Sequence, residues 1–402
     1  MLSKVHKWPQ IYSTVRATIG ACCPHANNTT FAQPPISQRI GKSARACSTM
    51  ENPYPGVKIS DEENREFMDV YPDIARDLAE IVGRNNNKDA AKWFRKWALD
   101  YNISTNLKKT GPITVLTYKC CVKCNELTGE KLKFALILGW CVELLHYALL
   151  MFDDIMDKST TRRGQVCWNA LEDVGLNAVN DALMIENSTY VLLRKHFRHL
   201  DCYVDLIDLF HESCFECLRG QSIDMLIGKR NVNTFTMEAC NSIVDHKTSS
   251  HLLYLPVAAG MHLAGVKNQK IYDECKAITF ELGHFFQVQN DFLDCFGDPH
   301  KTGKTGTEDI QANKCTWLVA SLLEKASPEQ KKILEECYGQ DDPEKVARVK
   351  QLYEELNIRH IYAKYEEESY KRIKKLIQNA SEDAPREVFQ MVLNIISDEA
   401  FL

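Results

Sequence analysis

Two clusters of aspartates each lie inside an apolar, helix-forming stretch of this chain, and together they restrict how it folds. The clusters are Asp153-Asp154-Ile155-Met156-Asp157 and Asn290-Asp291-Phe292-Leu293-Asp294. Residues three or four apart share one face of a helix, so Asp153 points the same way as Asp157, and Asp291 the same way as Asp294. Carboxylates gathered in this way resist burial unless a counter-charge is present. The simplest counter-charge is Mg²⁺, which takes oxygen ligands and often bridges to phosphates.

For either cluster taken alone, a solvated acidic helix face is the competing explanation. Apolar residues precede both clusters, however: residues 144–152 before the first, and Phe285 and Phe286 before the second. A solvated acidic helix face gives no reason for apolar residues to precede both aspartate clusters. The pair of clusters therefore favours a buried metal site.

Helical periodicity continues along nearly the whole chain after residue 60, and the alternation typical of strands is nearly absent. The periodic segments are residues 89–99, 132–156, 180–198, 203–228, 236–265, 270–295, 316–324, 328–338, 343–356 and 359–378. We therefore predict an all-α protein, a single large helical bundle around a deep central cavity. The two aspartate clusters would face each other across the mouth of that cavity.

Composition argues against several other classes of protein. The net charge of −5 offers no broad basic surface for nucleic acid. No apolar run reaches the roughly 18 residues that a membrane span needs. The 16 cysteines are scattered, which favours buried free thiols over a disulfide framework. The chain also lacks the loops of dinucleotide-binding proteins, of NTPases and of serine hydrolases.

The first 50 residues differ in kind from the rest. They contain six Lys or Arg residues and many Ser and Thr, and no acidic residue occurs before Glu51. This composition is typical of a mitochondrial transit peptide, which would leave residues 51–402 as the enzyme domain. A disordered tail without a targeting role is the alternative, and Met50 would serve as an internal start for a cytoplasmic form.

Basic residues accompany the aspartates. Arg162 and Arg163 follow the first cluster, and Lys247, Lys304 and Lys314 lie in other ordered-looking segments. Metal ions beside guanidinium and ammonium groups suit a diphosphate ligand. The reaction class that follows is metal-assisted departure of diphosphate from an organic diphosphate. The carbocation left behind needs a dry apolar wall, which the helix before Asp153 would supply.

Seven segments carry a resemblance to a known family: residues 138–145, 153–157, 161–165, 220–224, 254–258, 286–299 and 313–318. They resemble the isoprenyl diphosphate synthases, and among these the farnesyl diphosphate synthases of animals and fungi. The resemblance covers roughly residues 60–400. It implies the isoprenoid synthase fold for the domain 51–402, a homodimer, an allylic diphosphate substrate and Mg²⁺, with three ions per active site.

The resemblance also implies roles for single residues. The expected metal ligands are Asp153, Asp154, Asp157, Asn290, Asp291 and Asp294. The expected substrate-binding residues are Arg162, Arg163, Lys247, Thr248, Gln287, Lys304 and Lys314. Among these, Asp153, Asp154, Asp157 and Lys247 are expected to act in catalysis.

The subsite for isopentenyl diphosphate, the second substrate of chain-elongating members, departs from the family pattern. The family's Gly-Gly-Lys-x-Asn-Arg-Gly segment corresponds here to residues 105–111. Registered on Gly111, the lysine becomes Leu107 and the arginine becomes Thr110. Registered one residue later, Lys108 keeps the lysine place and Gly111 takes that of the arginine.

Two further differences concern the same subsite, although Arg163 is retained there. His146 replaces a glutamine, and residues 397–402 are acidic where the family has a basic tail. Ala148 and Leu149 stand where farnesyl-making relatives carry bulky aromatics, which would deepen the pocket.

These departures predict a terpene synthase that resembles the insect enzymes derived from this family, some of which make pheromones. It would ionise farnesyl diphosphate and release a sesquiterpene. A chain-elongating geranyl or farnesyl diphosphate synthase is the alternative, with Lys108 or Lys109 and Arg163 rebuilding the second subsite. A third hypothesis is a catalytically silent subunit that dimerises with an active relative.

Overall fold

The structure is a computed structural model that describes residues 59–103, 110–123, 127–162, 164–298 and 306–398, without the side chains of residues 96 and 97. The transit-peptide prediction for residues 1–50 lies outside the described residues. Helices make up 79% of the structure and strands almost none of it, which confirms the prediction of an all-α fold. The central cavity stays a prediction.

The first half of the chain is built around one long helix, α6. The elements are α1 (Asp61–Asp69), α2 (Tyr71–Val82), α3 (Lys88–Trp93), a π-helical turn (Phe94–Leu99), α4 (Asp100–Ile103), α5 (Thr110–Cys121), α6 (Gly129–Asp157), β1 (Thr161–Arg162), β2 (Gln165–Val166), α7 (Asn177–Phe197) and α8 (Tyr203–Ile227).

The second half contains a long interrupted helix and then a group of shorter ones. The elements are α9 (Met237–Ile243), a π-helical segment (Val244–Tyr254), α10 (Leu255–Leu263), α11 (Gln269–Phe296), α12 (Glu308–Gln311), α13 (Trp317–Leu323), α14 (Pro328–Cys337), α15 (Pro343–Glu355), α16 (Ile358–Asn379) and α17 (Arg386–Ser397).

Helix α6 is the centre of the main apolar core. Thr128 caps its start by accepting a hydrogen bond from the Lys131 amide, and Lys158 ends it in the left-handed conformation (φ 57°). Every residue from 135 to 149 is buried, as expected of a helix surrounded by others. Among the described residues it is the one helix long and apolar enough to span a bilayer, but 89% of its apolar window is buried by the rest of the protein. It therefore packs as a core helix.

A close crossing of α5 over α6 fixes the start of α5. A Cβ atom on Gly111 would lie 2.6 Å from the Gly139 carbonyl oxygen and would also collide with Phe67. The buried Glu143 carboxylate accepts hydrogen bonds from the amides of Thr110 (3.1 Å) and Gly111 (2.8 Å). Glycine is thus required at position 111, and Thr110 is held at a defined, buried place beside α6.

The π-helical segment between α9 and α10 carries several of the predicted site residues. Wide π turns occur frequently at functional sites, because they shift the direction of side chains relative to a regular α-helix. Here the segment contains Lys247, Thr248 and His251, and it packs against α8 and α11. A second apolar core, including Leu318, lies between the end of α11 and α13–α16. It supports the second aspartate cluster.

Some elements were not predicted. The sequence analysis did not assign α1, α2, α5 or α17, or the hairpin in which Thr161 pairs with Val166 and Arg162 with Gln165. Strands of two residues are too short to show alternation. Helix α5 is buried on nearly all sides, so its apolar residues show little periodicity.

Candidate active site

The first aspartate cluster lies at the end of α6, where the helix emerges from the core. The hairpin that follows turns at Gly164 (φ 76°) and brings Arg162 back over the cluster. The Arg162 guanidinium donates from Nη2 to Asp153 Oδ2 (2.8 Å) and from Nε to Asp154 Oδ1 (2.8 Å). Two neighbouring carboxylates thus share one planar cation, the geometry for which a guanidinium is suited.

Two lysines extend this ionic network. Lys247 Nζ lies 3.0 Å from Asp153 Oδ1 and donates to Asp224 Oδ2 at 2.8 Å. Lys314 Nζ donates to Asp157 Oδ2 at 2.7 Å and to the same Asp224 oxygen at 2.9 Å. Asp224 is buried, and its carboxylate therefore fixes the position of both ammonium groups.

The second cluster, on α11, accepts hydrogen bonds from neutral donors. Asp291 accepts the Gln287 side-chain amide at Oδ1 (2.9 Å) and the Trp317 backbone amide at Oδ2 (2.9 Å). Asp294 Oδ2 accepts the Asp309 backbone amide at 3.3 Å. Both aspartates are buried. Backbone amides at the starts of α12 and α13 thus help to hold these carboxylates.

Two consecutive residues of the π-helical segment connect the clusters. Lys247 contacts Asp153 of the first cluster. Thr248 donates from Oγ1 to Gln287 Oε1 at 3.0 Å, and Gln287 in turn donates to Asp291 of the second. The structure therefore connects the two clusters through one helical segment, and their facing each other across the mouth of a cavity stays a prediction.

The network changes the acidity of its members in opposite directions. Burial opposes ionisation of Asp153, but Lys247 and Arg162 outweigh it and lower the pKa of Asp153 below its usual value. In the same way Lys247 and Lys314 lower the pKa of the buried Asp224. Burial raises the pKa of Asp154 despite the nearby Arg162. The adjacent carboxylates of the first cluster therefore differ in how readily they stay ionised.

The donor set fits Mg²⁺. The ligands predicted in both clusters offer oxygen atoms alone, which this hard cation prefers. Asp153 Oδ1 is buried without a well-aligned hydrogen bond, although the Lys247 ammonium lies nearby. Within the described part of the chain, no three His, Cys, Asp or Glu side chains are already grouped as a metal cage. The carboxylates are instead engaged by Arg162 and lysines, which metal ions would have to replace.

Most of the predicted site residues lie in this network, two more lie on α11 beside Asp291, and two fall outside the described residues. The residues brought together are Asp153, Asp154, Asp157, Arg162, Lys247, Thr248, Gln287, Asp291 and Lys314. Asp294 lies one turn along α11 from Asp291, and the half-buried Asn290 precedes it. Arg163 and Lys304 lie outside the described residues.

The sequence analysis missed Asp224 as a site residue. It lies on α8 with Gln221, whose side-chain amide donates to Asp157 Oδ1 at 3.5 Å. A signal was available, because both residues belong to the segment 220–224 that carried part of the family resemblance. In the sequence alone, Asp224 shares a helix face with Gln221 and Gly220 and resembles an ordinary solvent-exposed carboxylate.

The residues near the expected second subsite contribute no cation within the described part of the chain. Thr110 is buried and neutral, and it takes the arginine's place if the family pattern is registered on Gly111. The tight packing of Gly111 favours that register. His146 is buried, and its Nδ1 lies 3.4 Å from His251 Nε2. Leu107, Lys108, Lys109 and residues 399–402 lie outside the described residues.

Comparisons with known proteins show the family to which this chain belongs. The family model for polyprenyl synthetase matches residues 92–356. Farnesyl pyrophosphate synthase of Gallus gallus is 41% identical over 335 residues, covering 82% of this chain and 91% of the relative. That of Rattus norvegicus is 42% identical over 343 residues (85% and 97%), and that of Nezara viridula 40% identical over 336 residues (84% and 82%).

An all-helical bundle with two acidic clusters and a cationic network between them defines an enzyme of the isoprenoid synthase fold. The chain belongs to the polyprenyl synthetase family. Its curated relatives quoted above carry the name farnesyl pyrophosphate synthase.

Proposed function

We propose that this protein ionises an allylic diphosphate with the help of Mg²⁺. The observation that carries the proposal is the connection of both aspartate clusters by Lys247 and Thr248, with Arg162 on the outer side. Cations and carboxylates that neutralise each other in the free protein can exchange partners when metal and diphosphate enter together.

Each group of residues has a defined part in that reaction. Mg²⁺ bound by Asp153, Asp154, Asp157, Asn290, Asp291 and Asp294 would supply positive charge to the departing diphosphate. Arg162, Lys247 and Lys314 would donate hydrogen bonds to its oxygens, with Arg163 and Lys304 as further proposed donors. Asp224 holds Lys247 and Lys314 in place. Thr248 and Gln287 orient Asp291.

For the fate of the carbocation we propose a sesquiterpene synthase acting on farnesyl diphosphate. The support is the neutral, buried Thr110 in the place of an arginine, together with His146 in the place of a glutamine. Charge-assisted hydrogen bonds contribute about 1.5–3 kcal/mol each, so losing one or two cationic partners weakens binding of isopentenyl diphosphate by roughly ten- to a hundredfold or more. The buried Ala148 leaves room for a longer hydrocarbon chain.

The second candidate is a chain-elongating prenyltransferase. The comparisons with known proteins support this candidate better than they support a sesquiterpene synthase. The relatives are named farnesyl pyrophosphate synthases and match most of this chain. In that case Arg163 with Lys108 or Lys109 would bind the second diphosphate. The silent-subunit hypothesis has less support, because the allylic site retains all its described members.

One experiment separates the two candidates. Protein lacking residues 1–50 is incubated with Mg²⁺ and farnesyl diphosphate alone, and separately with geranyl diphosphate plus isopentenyl diphosphate. Products are analysed by gas chromatography–mass spectrometry before and after phosphatase treatment. A volatile terpene from the single substrate, without longer diphosphates from the pair, supports the sesquiterpene synthase. Longer diphosphates from the pair alone support the prenyltransferase, and no reaction in either mixture contradicts both.

We also propose a homodimer and mitochondrial import, with a cytoplasmic form as the alternative. The surface of α7 and α8 exposes several large apolar side chains, among them Leu183, Val204, Phe215 and Leu226, which a second copy would cover. Sedimentation analysis tests the dimer. Reporter fusions that begin at Met1 and at Met50 test mitochondrial import. We expect the first fusion to be found in mitochondria and the second to be diffuse in the cytoplasm.

A further inference from the structure

Two side-chain contacts join α6 to the π-helical segment, one at the mouth of the site and one deeper. The outer contact is Asp153 with Lys247 (3.0 Å). The inner contact is a pair of imidazoles, with His146 Nδ1 3.4 Å from His251 Nε2. His146 precedes Asp153 by seven residues, which is about two helical turns, or roughly 10 Å along the axis on nearly the same face. The histidine pair thus lies deeper in the protein than the diphosphate-binding groups, about two turns away along α6.

Both imidazoles are buried, and burial decides the protonation state of His251. Burial lowers the pKa of His251 to about 4, although the Lys247 carbonyl and the Asp153 carboxylate oppose the shift; the Lys247 ammonium reinforces it. His251 is therefore neutral at neutral pH. A neutral imidazole carries one nitrogen with a lone pair, which is a proton acceptor.

The two rings also act on each other. Their facing nitrogens accommodate one hydrogen between them, so a proton gained by either ring is stabilised by the other. Two charged rings at this distance would repel each other, so the pair gains a single proton. An amide cannot accept a proton at neutral pH, so the glutamine that other family members carry at position 146 would not provide this chemistry.

We propose that the His146–His251 pair is the base that ends the reaction by taking a proton from the carbocation. This rests on the proposed ionisation of an allylic diphosphate. A C–H bond next to the cationic carbon breaks, its electron pair forms the new C=C bond, and the proton binds to an imidazole nitrogen of the pair. No oxidant or reductant is required. The proton passes to solvent when the product and diphosphate leave.

The position of the pair suits this step. The diphosphate is held at the outer contact, so the hydrocarbon part of the substrate extends inward along α6 toward the histidines. The buried Ala148 and Leu149 follow His146 on that helix. The pair is therefore a set of buried basic nitrogens beside an apolar stretch of helix, where water is scarce and a weak base competes well for a proton.

The test replaces the imidazoles by amides of similar size. His146→Gln, His251→Gln and the double variant keep polar groups that can hydrogen-bond to each other but remove the basic nitrogens. His262→Gln, on α10 and outside the site, is the matched control for a partly buried histidine. Each variant is checked by thermal melting. It is then incubated with Mg²⁺ and farnesyl diphosphate, and with geranyl diphosphate plus isopentenyl diphosphate.

Two quantities are measured, the rate of diphosphate release and the identity of the organic products. A general base contributes about 10²–10⁴-fold to a proton transfer. We expect release to change by less than about threefold, while the ratio of proton-loss products to water-captured alcohols falls at least tenfold in the variants and not in the control. If well-folded variants lose prenyl transfer without a change in product ratio, the pair acts in substrate binding and the inference is overturned.

The contrary results are distinct from each other. An unchanged product ratio in all three variants, with normal diphosphate release, overturns the inference and leaves the proposed function intact. Absence of diphosphate release by the unmodified protein in both mixtures overturns the proposed function, and the inference with it. The double variant covers the case in which one histidine cannot be replaced alone without unfolding, because two amides can restore the lost hydrogen bond.

Discussion

The two aspartate clusters look alike in sequence, but the protein holds them in different ways. The first is engaged by side-chain cations: Arg162, Lys247 and Lys314. Within the described part of the chain, the second accepts hydrogen bonds from backbone amides and the Gln287 side chain. Charged partners are mobile side chains that can turn toward an anionic substrate, whereas backbone amides are fixed by the fold. The comparison suggests that the first cluster exchanges partners during the reaction and the second provides a fixed reference.

Removing the first cluster should have the largest effect on activity. With Asp153→Ala and Asp157→Ala combined, we expect the rate of diphosphate release to fall at least about 10³-fold, because metal ions supply several kcal/mol of transition-state stabilisation. Phosphate-coupled detection of diphosphate measures the rate. Asp245→Ala, which removes a partner of His284 outside the network, is the control. Activity that survives the double substitution contradicts the metal assignment. The one exception is activity that comes from a contaminating relative, which would support the silent-subunit hypothesis.

The free energy of unfolding should fall by different amounts when a residue that supports the first cluster or a residue of the second is replaced. Asp224→Ala removes the buried carboxylate that two half-buried ammonium groups share, and breaking a buried ion pair costs about 3–5 kcal/mol. Asp291→Ala leaves a backbone amide and a side-chain amide unsatisfied, at a cost of about 1–3 kcal/mol. Urea denaturation of the metal-free proteins measures both free energies of unfolding. Equal losses in the two variants would show that the clusters are held alike, against the comparison drawn above.

The effect of Asp224 on stability should depend on pH. Its folded-state pKa is lowered by Lys247 and Lys314, so its contribution is present above the ordinary pKa of an aspartate, about 3.9, and is lost as the pH falls through the lower folded value. We therefore expect the difference in unfolding free energy between the unmodified protein and Asp224→Asn to be larger at pH 6 than at pH 3. Glu382→Gln, in an exposed turn, serves as the control. A difference that grows toward acid pH would mean that the shift has the opposite sign.

The smallest expected effect concerns the link between the clusters. Thr248→Val removes the hydrogen bond to Gln287 and should cost about 1 kcal/mol of stability. A double-mutant cycle of Thr248→Val with Asp291→Asn tests whether the link reaches the second cluster, and we expect a coupling energy of at least about 0.5 kcal/mol. Thr236→Val, which removes a helix cap elsewhere, should be additive with Asp291→Asn. Additive losses for Thr248 as well would leave the clusters unconnected.

Local patterns determined a large part of this protein. The all-α fold follows from periodicity along the chain, and most helices lie within a few residues of their predicted positions. The aspartates three and four apart share a helix face because the pitch of the helix requires it. The hairpin was beyond this kind of inference, since two residues per strand leave no pattern to detect.

Contacts between distant parts of the chain were decided by tertiary structure alone. Lys247, Lys304 and Lys314 each resemble an ordinary surface lysine in sequence, and packing places two of them, together with Asp224, among the carboxylates. The sequence left two alignments open for residues 105–111 and the family's segment. The contact that makes glycine necessary at position 111, the close approach to Gly139, is visible only in the tertiary structure. The facing of His146 and His251, 105 residues apart, also depends on how two helices pack. A sequence specifies which side chains share a helix face, whereas the partners that they meet depend on how the helices pack against one another.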